Sequence, residues 1–518
     1  VQIHPTRASS ELVWAGVLAM GIGLVLRAPF IVGNGAALLV GVLVARAVTE
    51  VGVARVRAAG FEMLWSEQER VRRVARGTRF SLIAEIRNRD TRATRYDQLR
   101  VVAAPELEVR VEPSSAEVPA GGRLEVRLDV TAPRVGRHGI HGLSLEVLGS
   151  PGLFEVPLTF ANPQAVEVLP APFAPALRSA RGGRSRMSAP DGRPGPLSGE
   201  GVELRELREH RPGDPFKRIA WKASARRGKL LVTENEIEER DVVWVLVDAS
   251  VENWAGPPGA SPLDAALDEA AAVVEQHLAR GDRVGLGLFG TRILTWLTPN
   301  RGPKHAANLM AALAFDAGCA DGDRSDWDES EAAAHVLEHL RPLDPSAVMH
   351  VHKSDLDRIA RRAERYLKRA PLSPPRPRGG TSRERVLRHY LAAFGIVAPP
   401  RMEPERAQSE LRIAGALKKL GREKRRASIV YVWARPPDAL LSNALLEAFE
   451  RFPKRRTELR FCAMAGTRGL PEAEGDTQAA VVRDAVALRL AVALERGARE
   501  LRKRGVRSVD PHKIAVRR

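Results

Sequence analysis

Val242-Val243-Trp244-Val245-Leu246-Val247-Asp248-Ala249-Ser250 is an unbroken apolar run that ends in a carboxylate and a hydroxyl. A strand with no polar side must be covered on both faces, as happens in parallel sheets clothed by helices. The residues that follow fit that reading. Pro262 to Arg280 places Leu263, Ala266, Leu267, Ala270, Val273, Val274 and Leu278 on one helical stripe, and Gly281 stops it. Val284–Phe289 and Ile293–Leu297 read as strands and Pro303–Phe315 as a helix. The alternation resumes with a strand at Ser428–Trp433, a helix at Ala439–Phe452, a strand at Glu458–Met464 and a helix from about Thr477 to Arg502. Strands alternating with helices imply a doubly wound α/β domain.

An insertion interrupts this domain at about 316–426. Helices are expected near Ser354–Arg369 and Ser382–Phe394, joined by the stiff basic segment Pro371–Arg378. Asp321–Trp327 begins like a calcium loop, but Asp326 stands where glycine is needed, so a solvated acidic loop is expected. His350-Val351-His352 sets two imidazoles on one side of a strand with no third ligand. Gly285–Gly290 spells GxGxxG within a strand rather than before a helix, which removes the anion-binding helix end a dinucleotide site needs.

On the N-terminal side, Pro170 to Pro196 is rich in Pro, Ala, Gly, Ser and Arg and has no period, so 171–200 reads as a linker. Before it, residues 50–170 carry short alternating runs, among them Arg79–Ala84, Leu107–Val111, Leu124–Val130 and Leu143–Val147. Turn residues such as Ala120-Gly121-Gly122 separate them. One wet and one buried face per strand predicts an all-β sandwich of the immunoglobulin-like type.

Residues 1–49 hold two uncharged apolar stretches, Leu12–Leu26 and Phe30–Ala45, around Arg27-Ala28-Pro29. Each is about 15 residues, just under the roughly 17–25 of a spanning helix, and Trp14, Arg27 and Arg46 make up the difference at the interfaces. The pair reads as a transmembrane helical hairpin. Arg7, Arg46, Arg55 and Arg57 flank it, so both ends and the soluble domains are expected on the cytoplasmic side of the membrane.

The formal charge is +18, from 81 basic and 63 acidic residues spread along the chain. No arginine–aromatic interleaving marks a nucleic-acid module, so attraction to acidic headgroups is the reading taken. Cys319 and Cys462 are far apart and build neither a disulfide framework nor a zinc knuckle; Cys462 is expected as a core thiol. P-loop, GxSxG and HExxH patterns are absent.

The candidate site is the carboxyl end of the first α/β strand, where open sheets bind ligands. Asp248, Ser250 and Glu252 supply hard oxygens of the kind Mg²⁺ takes, or else cap the following loop. Thr381, after Gly379-Gly380, either reaches the same metal or caps a helix in a Thr381–Glu384 capping box. The alternative to a binding role is a hydrolase or transferase with its site near Asp248.

The segment Gly201-Val202-Glu203, Leu207-Arg208-Glu209-His210-Arg211-Pro212-Gly213-Asp214, Arg218-Ile219-Ala220-Trp221-Lys222-Ala223-Ser224-Ala225-Arg226 and Lys229-Leu230-Leu231-Val232 closely resembles the hallmark of the domain-of-unknown-function 58 family. Gly152-Leu153-Phe154 resembles that family's turn before it. The resemblance implies that 201–518 is a von Willebrand factor A-like domain. It further implies a membrane-anchored, non-catalytic scaffold that binds protein partners, a MoxR-type AAA+ ATPase among them, in assembly or maturation. It also implies a degenerate metal-ion-dependent adhesion site: Asp248 and Ser250 match, Glu252 replaces a serine, and Val432-Trp433-Ala434-Arg435 stands where Ser-Asp is usual. In the motif itself, Ile219 and Trp221 are expected in the core. Glu203, Arg208, Gly213, Asp214, Arg218, Lys222 and Arg226 either pin the segment to the sheet or dock a partner.

Overall fold

The computed structural model describes residues 3–149, 151–171, 186–348, 350–423, 427–437, 443–453, 457–464 and 477–509, without the side chains of 57–59, 61, 97, 186–205, 234–240, 346–347, 477, 479 and 509. In chain order these are β1 (His4–Pro5), α1 (Arg7–Val25), α2 (Pro29–Ala59), β2 (Phe61–Trp65), β3 (Val71–Ala75), β4 (Arg79–Asn88), β5 (Thr94–Ala103), β6 (Glu108–Glu112), β7 (Ala116–Val118), β8 (Arg123–Thr131), β9 (Gly136–Leu148) and β10 (Phe154–Leu169). There follow β11 (Arg186–Glu209), α3 (Trp221–Arg227), β12 (Leu231–Asp248), α4 (Pro262–Ala279), β13 (Arg283–Phe289), β14 (Ile293–Asn300) and α5 (Pro303–Phe315). The rest is α6 (Glu329–Leu343), α7 (Pro345–Val348), α8 (Leu356–Tyr366), α9 (Ser382–Ala393), α10 (Arg406–Arg422), β15 (Ile429–Ala434), α11 (Ala444–Arg451), β16 (Glu458–Ala463), α12 (Thr477–Lys503) and β17 (Arg507–Val509). The chain forms two compact units. One comprises Val1–Val168 with Cys319–Pro399, the other Leu169–Gly318 with Pro400–Arg518.

In the first unit, α1 and α2 are both long and apolar enough to cross a membrane. Arg27 takes a left-handed backbone, φ 51°, at the turn between them. Gly16 and Gly35 face each other across the pair, and a Cβ on either would press into the other helix, so the two backbones pack closely. α2 does not end near residue 49 but continues to Ala59. The reason is burial on the β-sandwich. Ala45, Thr49, Val53 and Val56 are all buried, and Arg55 Nε donates to Asp90 Oδ2 at 2.9 Å. The Gly152-Leu153-Phe154 turn receives the other helix: Thr6 N donates to Leu153 O at 3.0 Å, and Leu153 and Phe154 pack with Val42, Ala45 and Leu12.

Two sheets, ordered β1-β10-β9-β5-β7 (with β3 beside β10) and β2-β4-β8-β6, lie face to face. Leu82 and Ile86 of β4 and Val126 and Leu128 of β8 meet Tyr96 of β5 and Leu143 and Leu145 of β9 in one core. The alternation read from the sequence is therefore that of a two-layer sandwich. Part of the insertion belongs to this unit: α6, α8 and α9 share a core of Val336, Leu337, Leu340, Ile359, Leu387 and Phe394. It is joined to the sandwich by Gly139 N donating to Gly395 O at 2.9 Å and by a His141–His339 contact. Two expectations fail here. Arg324 is fully buried, so 321–327 is not simply a solvated loop, and His350 and His352 lie in a turn rather than a strand.

The second unit is a seven-stranded sheet ordered β14-β13-β12-β15-β16-β17, with β11 also paired to β12. β12 runs parallel to both β13 and β15, and β15 parallel to β16. Because the chain goes to one side of β12 for β13 and returns to the other for β15, the switch point falls at the end of β12, at Asp248. Trp244 and Leu246 pack against Ile413 and Leu417 of α10 and Phe449 of α11, while Val243, Val245 and Val247 are equally buried on the opposite face. Gly285 and Gly287 of the GxGxxG stretch lie within β13, where a Cβ on Gly285 would strike the Trp244 ring. Residues 172–185 of the expected linker lie outside the described residues, and from Arg186 the chain is already β11 rather than linker. Its register on β12 breaks between Ser188 and Arg193, Pro194 and Ser198, and Gly199 and Leu204, which is why no period shows in its sequence.

Candidate functional site

Asp248 closes β12 with its side chain only 1% exposed. Its Oδ1 accepts from Ser250 N at 3.0 Å and from Ser409 Oγ at 2.6 Å. Its Oδ2 is buried and meets no donor among the described residues. Burial, outweighing the Ser409, Ser250 and Asn253 hydrogen bonds, raises the carboxyl above its ordinary pKa.

The chain then turns through Val251–Trp254. Asn253 Nδ2 donates to Asp248 O and to Ser250 Oγ, both at 3.1 Å. Glu252 Oε1 accepts from Arg406 N at 2.9 Å, and Glu405 Oε2 accepts from Val251 N at 3.0 Å. The first turn of α10 is thus held against the end of β12 by carboxylates at its N-terminus, where the helix dipole favours negative charge. Arg435, just past β15, donates through Nε to Asn253 Oδ1 at 2.9 Å and through a second nitrogen to Glu252 O. Desolvation lowers its pKa, while the charges of Glu252 and Asp248 oppose that shift.

This donor set fits a hard cation poorly. Asp248 Oδ2 is a free oxygen, but Ser250 Oγ already faces an amide donor, and the buried positive charge beside Glu252 is a guanidinium. Among the described residues, no three His, Cys, Asp or Glu side chains gather as metal ligands. Thr381 belongs to the other unit, where it caps α9. Its Oγ1 accepts from Glu384 N at 3.0 Å and donates to Glu329 Oε1 at 3.2 Å. The hydroxyl that does meet Asp248 is Ser409, which pattern reading missed. It lies 161 positions away on a helix that was not expected.

The Gly201–Lys229 motif divides into frame and surface. Arg208 forks onto Asp214 with two 2.7 Å bonds, and Arg211 N adds a third at 2.8 Å. The Arg208 guanidinium beside it holds the Asp214 carboxyl well below its usual range. Gly213, at φ 101°, makes the turn that brings the two together. Lys229 reaches Glu209 at 2.8 Å, and Ser224 Oγ accepts from Leu231 N at 2.8 Å, tying α3 to β12. Ile219 is buried as expected, and Arg218 is half-buried. The side chain of Glu203 lies outside the described residues.

Trp221 is not in the core. It is 63% exposed, and Phe216 is 75% exposed. The α3 helix is only seven residues long and buries Ser224, so its first residue points outward. Lys217, Lys222, Arg226 and Arg227, close to the two rings in sequence, are also exposed.

Residues 206–365 match the family described as protein of unknown function DUF58. The DUF58 match thus takes in the end of β11, the motif from Glu206 onward, the Asp248 strand and the chain up to α8. Proteins of Mycobacterium bovis and Mycobacterium tuberculosis, themselves uncharacterised, are 26% identical over 124 residues. That stretch is 23% of this chain and 38% of theirs, so the chain spans well under half of those relatives. Among solved structures, the PapD-like domain of human CEP192 is 14% identical, covers 21% of this chain and 86% of its own, and has a TM-score of 0.17. WR4, a Caenorhabditis elegans MSP family member, is 9% identical and covers 21% of this chain and 96% of its own at 0.15. Scores that low assign no fold.

Proposed function

We propose that the chain is a membrane-anchored scaffold whose von Willebrand factor A-like unit holds a protein partner through the Phe216–Trp221 face of the DUF58 motif. The observation that carries this is the exposure of both rings on a segment whose frame, Arg208–Asp214 and Ser224–Leu231, is fixed. Exposed Trp and Arg on a rigid frame have the composition of a binding hot spot, and the frame removes the ordering cost of association. Lys217, Lys222, Arg226 and Arg227 make the rim basic, so the complementary surface is acidic around an apolar pocket. A MoxR-type AAA+ ATPase is the partner that the family resemblance implies. The near-complete enclosure of Asp248 supports a holding role over chemistry on a substrate.

The anchor in this reading is the α1–α2 hairpin in a bacterial inner membrane, followed in the sequence by an immunoglobulin-like sandwich. Arg46, Arg55 and Arg57 in the C-terminal half of α2 favour a cytoplasmic side for the domains that follow.

The test mixes the full chain in phosphatidylcholine nanodiscs with a MoxR-type AAA+ ATPase from the same organism. A stoichiometric complex on size exclusion that weakens with salt is expected. No complex at micromolar concentrations, with or without nucleotide, would overturn the proposal.

A further inference from the structure

The helical part of the first unit carries a half-open cleft of about 470 Å³, within the roughly 300–1,000 Å³ of small-molecule sites. Its apolar wall is Val351, backed by the buried Leu337 and Leu340 of α6, Val348 of α7 and Ile359 of α8. Its rim is cationic. Arg358, Arg361, Arg362 and Arg365 fall at i, i+3, i+4 and i+7 on α8, so all four line the same wall. Arg362 is committed to Asp344. Arg358 reaches Asp355 only at 3.9 Å, Arg361 donates to the Asp357 carbonyl, and no carboxylate is drawn to Arg365 among the described residues. None of the described lining residues is acidic. Like charges three and four apart on a helix repel, a cost that a bound anion removes.

From this juxtaposition of an apolar pocket with a row of guanidinium groups, we infer that the cavity binds an anionic amphiphile: a phosphate or carboxylate head on an apolar chain. The head is gripped by Arg361 and Arg365, whose forked donors match such oxyanions, and the chain lies on Val351 and the aliphatic stems of the arginines. Two sources share this chemistry, an anionic membrane lipid and a water-soluble acyl phosphate. This site is independent of the Phe216–Trp221 face and of its partner.

The test uses the full chain in phosphatidylcholine nanodiscs, titrated calorimetrically with dihexanoyl phosphatidic acid, dihexanoyl phosphatidylcholine and inorganic phosphate. Saturable binding of the phosphatidic acid is expected. It should weaken at least about tenfold in the double variant Arg361→Glu/Arg365→Glu, whose exposed side chains leave the melting temperature unchanged. No binding, equal binding by the double variant, or inorganic phosphate binding as tightly as the amphiphile would each overturn the proposal. Discs containing phosphatidylglycerol separate the sources once binding is established. Competition with the added ligand supports a bilayer lipid, and undiminished binding supports a soluble amphiphile.

Discussion

Ser409 Oγ donates to Asp248 Oδ1 at 2.6 Å, joining the first turn of α10 to the end of β12 across 161 positions of sequence. Among the described residues, the buried Oδ1 accepts from Ser409 Oγ and from Ser250 N. Ser409→Ala leaves a buried carboxylate short of a donor, which costs about 1–3 kcal/mol. A thermal melt of the full chain should show the α/β transition lowered by several degrees. An unchanged melt would mean that this contact does not hold α10 in place.

Arg435 supplies the positive charge beside Glu252, so added Mg²⁺ is expected to leave the wild-type melting temperature where it is. Arg435→Ser removes two hydrogen bonds and that charge, and should lower the melt, with millimolar Mg²⁺ restoring part of the loss. A clear Mg²⁺ stabilisation of the wild type would show that the guanidinium does not exclude the ion.

His339 Nε2 lies 3.0 Å from His141 Nδ1, and His339 Nδ1 lies 2.8 Å from the Tyr390 hydroxyl, joining insertion to sandwich. Burial pushes His141 down to about 4, and burial together with the charge of His141 pushes His339 down to about 3. Between the unfolded value of about 6.5 and these folded values, the unfolded chain takes up protons that the folded one refuses. Stability from the pair is therefore complete above pH ~6.5 and falls as pH drops toward ~4. His339→Gln should flatten the melting temperature across that window relative to wild type. Parallel pH profiles for the two proteins would contradict the assignment.

The topology proposal places Arg27 on the far side of the membrane from the sandwich and the α/β sheet. Its backbone is already left-handed and its side chain exposed, and the native Cys319 and Cys462 are buried. In intact cells, Arg27→Cys should react with a membrane-impermeant maleimide, whereas Glu69→Cys in the sandwich should not. The reverse pattern would invert the orientation.

Much of the α/β unit was legible because its signals are local. The Val242–Val247 run, the Pro262–Arg280 stripe and the Pro303–Phe315 helix need only their own neighbours to be read; the two helices stand within a residue of α4 and α5, and the run is the C-terminal part of β12, which starts earlier, at Leu231. The hairpin was equally plain, though its length was not. α2 outlasts its apolar stretch because the next turns rest on the sandwich, a fact held by Asp90 and not by the helix. The site was half legible. Asp248 and Ser250 announce the strand end, but their partners Ser409 and Arg435 arrive after an insertion, and no spacing rule spans it. Trp221 was misread for a related reason. A tryptophan beside a buried Ile219 resembles core, and only the brevity and orientation of α3 turn it outward.

The central claim rests on that outward turn, and melting and partner affinity measured on the same Trp221→Ala protein test it most directly. An exposed side chain at a rigid binding face should leave stability within about 0.5 kcal/mol of wild type. Its loss should weaken the ATPase complex by about 30-fold or more, as removal of a hot-spot tryptophan does. An unchanged melt with lost binding is the predicted result. A marked drop in melting temperature, or a variant that binds as tightly as wild type, would contradict the account.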